Sequence, residues 1–531
     1  MRATKNGQKA DSKMKLVYLP LDERPCNYYF APRIAKGSPI ELVCPPREML
    51  GDKKIPADVT ALEAFLLDSA ATADGFVISI DMLLYGGIVP SRLHHMGEEE
   101  LAARLAVIDK IKRVNPAAKI YAFALIMRCP KYSSADEEPD YYEHCGVEIF
   151  RTGQIKHKRD LGLIDGETAE RELAQYRAVI GDNLSDFETR RVTNRNMLIR
   201  SIKMLGKSID FLVIPQDDSA EYGYTSVDRE AIKQVIAAEG LSDVAMYPGA
   251  DEVGMTLLAR AACEFKGVTP RIECIFAHEN NPNIYPLYED RPLGKTLPHQ
   301  IASAGCLMLP EGGESDIRLY LNYPAFDPRD IAEGPSDGYL SRDMHAFCDK
   351  IAASIREGRV TAIADGAYCN GGDRELLTLL QERVPLLSVS AYAGWNTSSN
   401  TLGTVICQAV FVYLFGDSAD ERRFLAERIF EDVGYCGFVR RHVTNNILPS
   451  LGLNYFDAGG SDGQVAEIVR AELEKFITEN YPALLEKYGI DVCRMPWRRM
   501  FEVDLSLREI DASGGTDLPV TAKRISKISN R

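Results

Sequence analysis

The sequence predicts an α/β protein of parallel βα units: a TIM-barrel-like first domain, a second α/β unit and a mostly helical C-terminal part. Three observations carry this expectation. Short apolar, β-rich runs recur from Lys15 onward, segments with apolar residues at helical spacing follow them, and the runs end in polar or charged side chains.

In chain order, strands are predicted at 15–20 (KLVYLP), 40–45 (IELVCP), 75–80 (GFVISI), 119–127 (KIYAFALIM), 210–215 (DFLVIP) and 244–248 (VAMYP). Four more follow at 271–277, 317–323, 360–364 and 386–392. Helical spacing marks 58–71, 98–114, 166–205, 227–239, 251–265, 343–357 and 373–383. Between a strand and a helix, 130–165 is a long polar excursion, a form common to substrate loops and to plain surface insertions. Proline and glycine at 278–316 point to a domain boundary near 270–315. The expected division is therefore a polar tail at 1–14, a barrel-like catalytic domain at 15–270, a second unit at 271–403 and a helical region at 404–531 ending in a loosely held tail.

At 531 residues the chain has room for roughly three units of about 150 residues each. With 62 Lys and Arg against 77 Asp and Glu, its net charge of −15 repels phosphate backbones and anionic membranes, so neither nucleic acid nor membrane is expected as a partner. The longest apolar run, 404–416, falls short of the ~20 residues that cross a bilayer and reads as a buried helix. The polar, basic N-terminus has no apolar signal region, and twelve cysteines without a CxxC suit buried thiols in a reducing cytoplasm. Neither GxxxxGK[ST] nor GxGxxG occurs, so neither common nucleotide cradle is supported. Eight histidines without HExxH give no zinc motif, and GGSDG at 459–463 reads as a glycine loop.

Ligands of parallel α/β proteins sit at the carboxyl ends of strands, and here those ends are dense with functional groups. The first offers Asp22, Glu23, Arg24 and Asn27, the third Asp81, Tyr85 and Arg92, the fourth Arg128. The fifth ends in Gln216, Asp217 and Asp218, two adjacent carboxylates that raise the pKa of one of them, and the sixth in Asp251 and Glu252, which read equally well as helix caps. Later ends supply Asp365 and Asn370, with Asp373 as a helix cap, and then Trp395, Asn396 and Asn400 in YAGWNTSSNTLG. An aromatic face beside amides suits a polyhydroxyl ligand, although the same segment also reads as a helix cap with a core tryptophan.

Together PLDERPCN, IDMLLYGGIVPSR, IPQDDSAEYGY, GADE and YAGWNTSSNTLG resemble a bacterial family known as domain of unknown function family 4127, over about residues 15–500. That resemblance implies a cytoplasmic bacterial protein and no particular activity. At the level of the site, the Asp217–Asp218 pair is similar to the acidic pair of retaining N-acetylhexosaminidases. This likeness implies that Asp217 polarises the substrate's acetamido group and that Asp218 protonates the leaving oxygen.

The expected function is accordingly a hydrolase of a carbohydrate-like substrate, a glycoside hydrolase with Asp217 and Asp218 as catalytic residues and no cofactor. Substrate would be held by Asp22, Glu23, Arg24, Asn27, Asp81, Tyr85, Arg128, Asp251, Glu252, Asp365, Asn370, Trp395, Asn396 and Asn400. Two alternatives stand beside it. One is a Mg²⁺- or Mn²⁺-dependent hydrolase of a phosphate or acyl substrate, with the metal on Asp22, Asp81 or Asp217 and the anion on Arg24, Arg92 and Arg128. The other is a non-catalytic protein that binds a small polar ligand between its two α/β units.

Overall fold

The computed structural model describes residues 13–510. The tails expected at 1–14 and at the C-terminus lie outside the described residues, except that Met14 already opens the first strand.

Nine of the ten expected strands form over most of their span, whereas 386–392 opens as a 3-10 turn at Leu386–Ser388 and leaves only a short strand at Ala391–Ala393. Strands β1 (Met14–Leu19), β2 (Ile40–Val43), β3 (Gly75–Ser79), β4 (Lys119–Phe123), β5 (Phe211–Gln216) and β6 (Val244–Pro248) build one parallel sheet in the order β2-β1-β3-β4-β5-β6. A second parallel sheet contains β7 (Arg271–Phe276), β8 (Leu307–Leu309) and β9 (Ile317–Asn322), with two-residue strand β10 (Arg329–Asp330) outside it. Strands β11 (Val360–Asp365) and β13 (Ala391–Ala393) complete it in the order β13-β11-β9-β7-β8, while β12 (Tyr368–Cys369) pairs with β10. Both sheets obey one rule: the second strand lies on one side of the first, and the rest are laid down on the other side.

This winding corrects the expected barrel. In a barrel every βα step advances in one direction until the last strand meets the first. Here the direction reverses at β1 and again at β7, and right-handed crossovers then place helices on both faces of an open sheet. Alternate residues of β1 show the result. Leu16 and Tyr18 enter one apolar cluster, and Val17 and Leu19 enter another with the helices Val59–Ala70 and Val107–Val114. A strand buried on both faces needs apolar residues at every position, and β3 (GFVIS) is buried throughout.

The cluster that takes Leu16 and Tyr18 also takes Ile272, Leu319, Ala362 and Ala391 of the second sheet. Between the sheets lie the helices Val253–Lys266, Leu293–Ser303 and Ser398–Phe415. Ser398–Phe415 is long and apolar enough to pass as a membrane span, but 83% of it is buried inside the fold as a core helix. All twelve cysteines are free, and only Cys44 is not buried.

Helical segments also differ from expectation, and the one over 98–114 is broken at Ala106 into Glu98–Leu105 and Val107–Val114. The helix predicted over 166–205 is two, Gly166–Ile180 and Asn183–Ile202, because Gly181 takes φ 60 and ends the first. The C-terminal part, expected to be mostly helical, closes with an antiparallel pair, β14 (Tyr488–Arg494) and β15 (Asp504–Glu509). The connection between them, 495–503, returns to the carboxyl edge of the first sheet.

Candidate active site

The carboxyl edges of the two sheets converge on a cavity of about 260 Å³. Each contributing side chain follows from its place at a strand end. The turn after β1 supplies Arg24, the loop after β3 supplies Arg92, and the stretch after β4 brings Arg128. From β5 come Gln216, Asp217 and Asp218, and from the end of β6 comes Asp251. The second half adds Tyr288, Glu289, Asn370, Asn396 and Asn400. Tyr132, Asp136 and Glu137 of the polar excursion also line the cavity, as do Tyr455, Phe456, Arg499 and Phe501 from the C-terminal part.

The two halves are joined here by hydrogen bonds. Asp22 accepts from Arg24 Nε at 2.9 Å and from Asn27 Nδ2 at 2.8 Å. Arg24 then reaches Asp251 at 2.6 Å, and Asn27 reaches the same Asp251 oxygen at 2.9 Å. Across the cavity Asn396 Nδ2 donates to the other oxygen of Asp251 at 3.4 Å, and the Asp251 amide donates to Asn400 at 3.2 Å. Burial pushes the Asp251 carboxyl up against the opposing pull of Arg24.

Asp217 and Asp218 sit at the rim of this assembly, their side chains 17% and 22% exposed. Arg92 holds Asp217 at 2.8 Å, and Arg128 stands 3.4 Å from Asp218. Burial raises both carboxyls, and the neighbouring Asp218 raises Asp217 further, while the arginines pull them down. Asp218 has φ 41, a conformation costing an ordinary residue roughly 1–2 kcal/mol. Tyr288, Asn370 and Asn396 share it at φ 66, 64 and 52, so four of the eight such non-glycine residues among those described line one cavity. Backbone strain of this kind persists where surrounding structure enforces it, and it concentrates at functional sites.

Of the residues expected to touch substrate, Arg24, Arg128, Asp217, Asp218, Asp251, Asn370, Asn396 and Asn400 line the cavity. Asp22 and Asn27 stand behind Arg24 and orient it. Glu23 faces a neighbouring cleft, accepting from Trp497 Nε1 at 2.6 Å and from the Lys53 amide at 2.7 Å. Asp81 is turned inward to the Leu125 amide at 2.9 Å, where burial lifts its carboxyl to about 7. Tyr85 is buried against the His94 ring. Glu252 is enclosed beneath the Ala250 amide, which donates to it at 2.9 Å, and it caps no helix by its side chain. Asp365 accepts from Tyr392 and from the Asp373 amide inside the second unit, and Asp373 caps the helix Arg374–Gln381 as expected.

The stacking role expected of Trp395 is corrected. Its Nε1 donates to Thr404 at 3.1 Å, its ring meets Phe30 edge-on, and it is 6% exposed within the core between the sheets. The aromatic wall is instead formed by Tyr132, Tyr288, Tyr455, Phe456 and Phe501, which the sequence reading missed. Also missed were Glu137, Glu138 and Arg499. Their signal was the charge density of SADEEPD and RMPWRRMFE, but no spacing joins two segments more than 350 residues apart.

The metal alternative finds no ligand set. Among the described residues no group of three or more His, Cys, Asp and Glu is placed to hold an ion. Asp22 and Asp217 are each engaged by an arginine and Asp81 by a backbone amide.

This fold and cavity define an α/β protein with two parallel sheets whose candidate site is lined by residues from the strand ends of both. The chain belongs to the family described as protein of unknown function (DUF4127), whose profile matches residues 16–506. No curated protein and no solved structure matches it.

Proposed function

We propose that the protein is an acid–base hydrolase of a polar, carbohydrate-like small molecule, a glycoside hydrolase with Asp218 as general acid. The supporting observation is the strained placement of Asp218 at the end of β5, beside a second carboxylate and on the wall of a cavity lined by charged and aromatic side chains. In this reading the neutral Asp218 carboxyl gives its proton to the glycosidic oxygen as the bond from that oxygen to the anomeric carbon breaks. Asp217, held by Arg92, orients the group that attacks or stabilises the positive charge left on the ring. Water then completes hydrolysis. Asn370, Asn396 and Asn400 line the cavity and in this reading meet hydroxyl groups, while the tyrosines and phenylalanines beside them meet the apolar face of a sugar. Where two separated carboxylates act, Asp251 is the partner, because Glu252 does not reach the cavity.

A panel of chromogenic glycosides tests this. Wild type should turn over at least one class, and Asp218→Asn should lower kcat by about 10²–10⁴ for substrates with poor leaving groups. Dinitrophenyl glycosides, which need no protonation to depart, should lose far less. An absence of turnover across the panel, or equal losses for good and poor leaving groups, would remove Asp218 from this role. The location of the cavity between two α/β units also favours the binding-protein reading, which saturable sugar binding without turnover would support.

A further inference from the structure

Glu137 is held by three arginines that come from separate parts of the chain. Its Oε2 accepts from Arg92 at 3.0 Å and lies 3.1 Å from an Arg128 nitrogen, and its Oε1 accepts from Arg499 at 2.5 Å. These cations also serve other acids. Arg92 reaches Asp217 and stands 3.4 Å from Glu138, Arg128 reaches Glu138 at 2.7 Å and Asp218, and Arg499 reaches Asp136 at 2.7 Å. The nitrogens that meet Glu137 are partly shared, Arg92 Nη1 with Glu138 and Arg499 Nη1 with Asp136, whereas the Arg128 terminal nitrogen faces Glu137 alone, and together they cradle both of its oxygens. Against burial, which raises it, the three arginines hold the Glu137 carboxyl well below the usual range.

Arg499 also keeps bonding capacity, on nitrogens other than the one that meets Glu137. Arg499 is 4% exposed at its side chain, yet its Nε and one terminal nitrogen have no hydrogen-bond partner, and Glu502 comes no nearer than 3.5 Å. Buried guanidinium donors are rarely left unused, and converging arginines are the usual device for gripping an oxyanion. Glu137 lies on the excursion between β4 and the helix Tyr142–Asp160, at the cavity wall, where a ligand in the cavity would meet it.

We propose that Arg92, Arg128 and Arg499 form the binding site for a carboxylate on the protein's ligand, and that Glu137 is the internal group occupying it when no ligand is bound. Exchange of one carboxylate for another keeps the local charge constant. A phosphate dianion would add negative charge beside Asp217, Asp218 and Glu138, so the site is matched to a carboxylated small molecule such as a uronic acid. The inference concerns binding alone and stands or falls apart from any turnover.

The test is chemical replacement of the missing group. Glu137→Ala is titrated with sodium formate and, separately, with inorganic phosphate, with sodium chloride at equal ionic strength as control, and Tm is followed beside wild type. Formate should raise the Tm of the variant saturably, by about 2–5 °C, and leave wild type unchanged. D-glucuronate should bind the variant at least tenfold more tightly than D-glucose. Equal responses of variant and wild type to formate would overturn the cradle, and tighter binding of phosphate than of formate would overturn the carboxylate assignment. Glu137→Gln, which keeps the side-chain volume, is read in parallel. If neither variant is folded, recovery of the far-UV circular dichroism on adding formate is the supporting result, and its failure overturns the proposal.

Discussion

At the scale of single residues, the protein places many ionisable groups where burial works against their charge, and these groups divide into two kinds. Asp217, Asp218 and Asp251 face the cavity and are held by arginines, so their protonation can serve chemistry. Glu252 is of the other kind. It is fully enclosed beneath the cavity, accepts from the Ala250 amide and approaches Gln300, and burial lifts its carboxyl from 4.5 to about 8. Between those values the unfolded chain has released a proton that the folded chain retains, so stability falls as pH rises through the window. A single group of this kind contributes a slope of at most about 1.4 kcal/mol per pH unit. Glu252→Gln keeps the shape and removes the proton equilibrium. In urea denaturation the variant should match wild type near pH 4.5 and gain on it steadily up to pH 8. A difference that stays constant across that range would show that Glu252 is not held neutral.

Secondary elements carry the next level, and close approach of the central helices is its main requirement. Gly254 near the start of the helix Val253–Lys266 faces Tyr18 of β1, and a Cβ there would sit 2.3 Å from the tyrosine oxygen. That hydroxyl donates to the carbonyl of Asn27, so the contact also fixes the turn that positions Arg24. Gly254→Ala should cost about 1–3 kcal/mol by overpacking, seen as a lower urea midpoint with an unchanged m-value, and it should weaken ligand binding as Arg24 shifts. A neutral effect on both would mean that the helix and β1 separate without cost. This level was also the most legible in the sequence. Runs such as GFVIS and FLVIPQ read as strands because they are short, rich in β-branched and aromatic residues and end in polar groups, as a doubly covered parallel sheet requires. The order of the strands was not legible, since β1 pairs with β2 and β3 through backbone groups that every residue possesses. For the same reason the site was half visible: Asp217, Asp218 and Arg128 announced themselves at strand ends. Whether Asp81 turns toward the cavity or toward the Leu125 amide depends on neighbours that only the folded chain supplies.

For the whole molecule, the continuous core between the two sheets decides how the protein comes apart. Chains of this size commonly unfold in stages, domain by domain. Here the apolar cluster holding Leu16, Tyr18 and Val213 of the first sheet also holds Ile272, Leu319 and Ala362 of the second, with three central helices between them. Separating the sheets would expose the buried helix Ser398–Phe415, whose 15 residues Ser398 to Val412 are buried without interruption. An intermediate with one sheet intact would therefore leave apolar surface in water that neither half can cover alone, and such a state is disfavoured in proportion to that area. The two tryptophans make this measurable. Trp395 follows β13 of the second sheet, whereas Trp497 lies against the first, its ring 4.6 Å from the Arg24 guanidinium and 4.5 Å from that of Arg499. In Trp497→Phe the remaining Trp395 reports the core between the sheets, and in Trp395→Phe the remaining Trp497 reports the edge of the first sheet. Both should follow a single urea transition, with midpoints that agree once each variant's own stability is taken from circular dichroism. Ligand added at saturation should move the two together, because the cavity is built from both sheets. Two separated transitions, or a ligand shift confined to Trp497, would show that the shared core does not bind the halves into one cooperative unit.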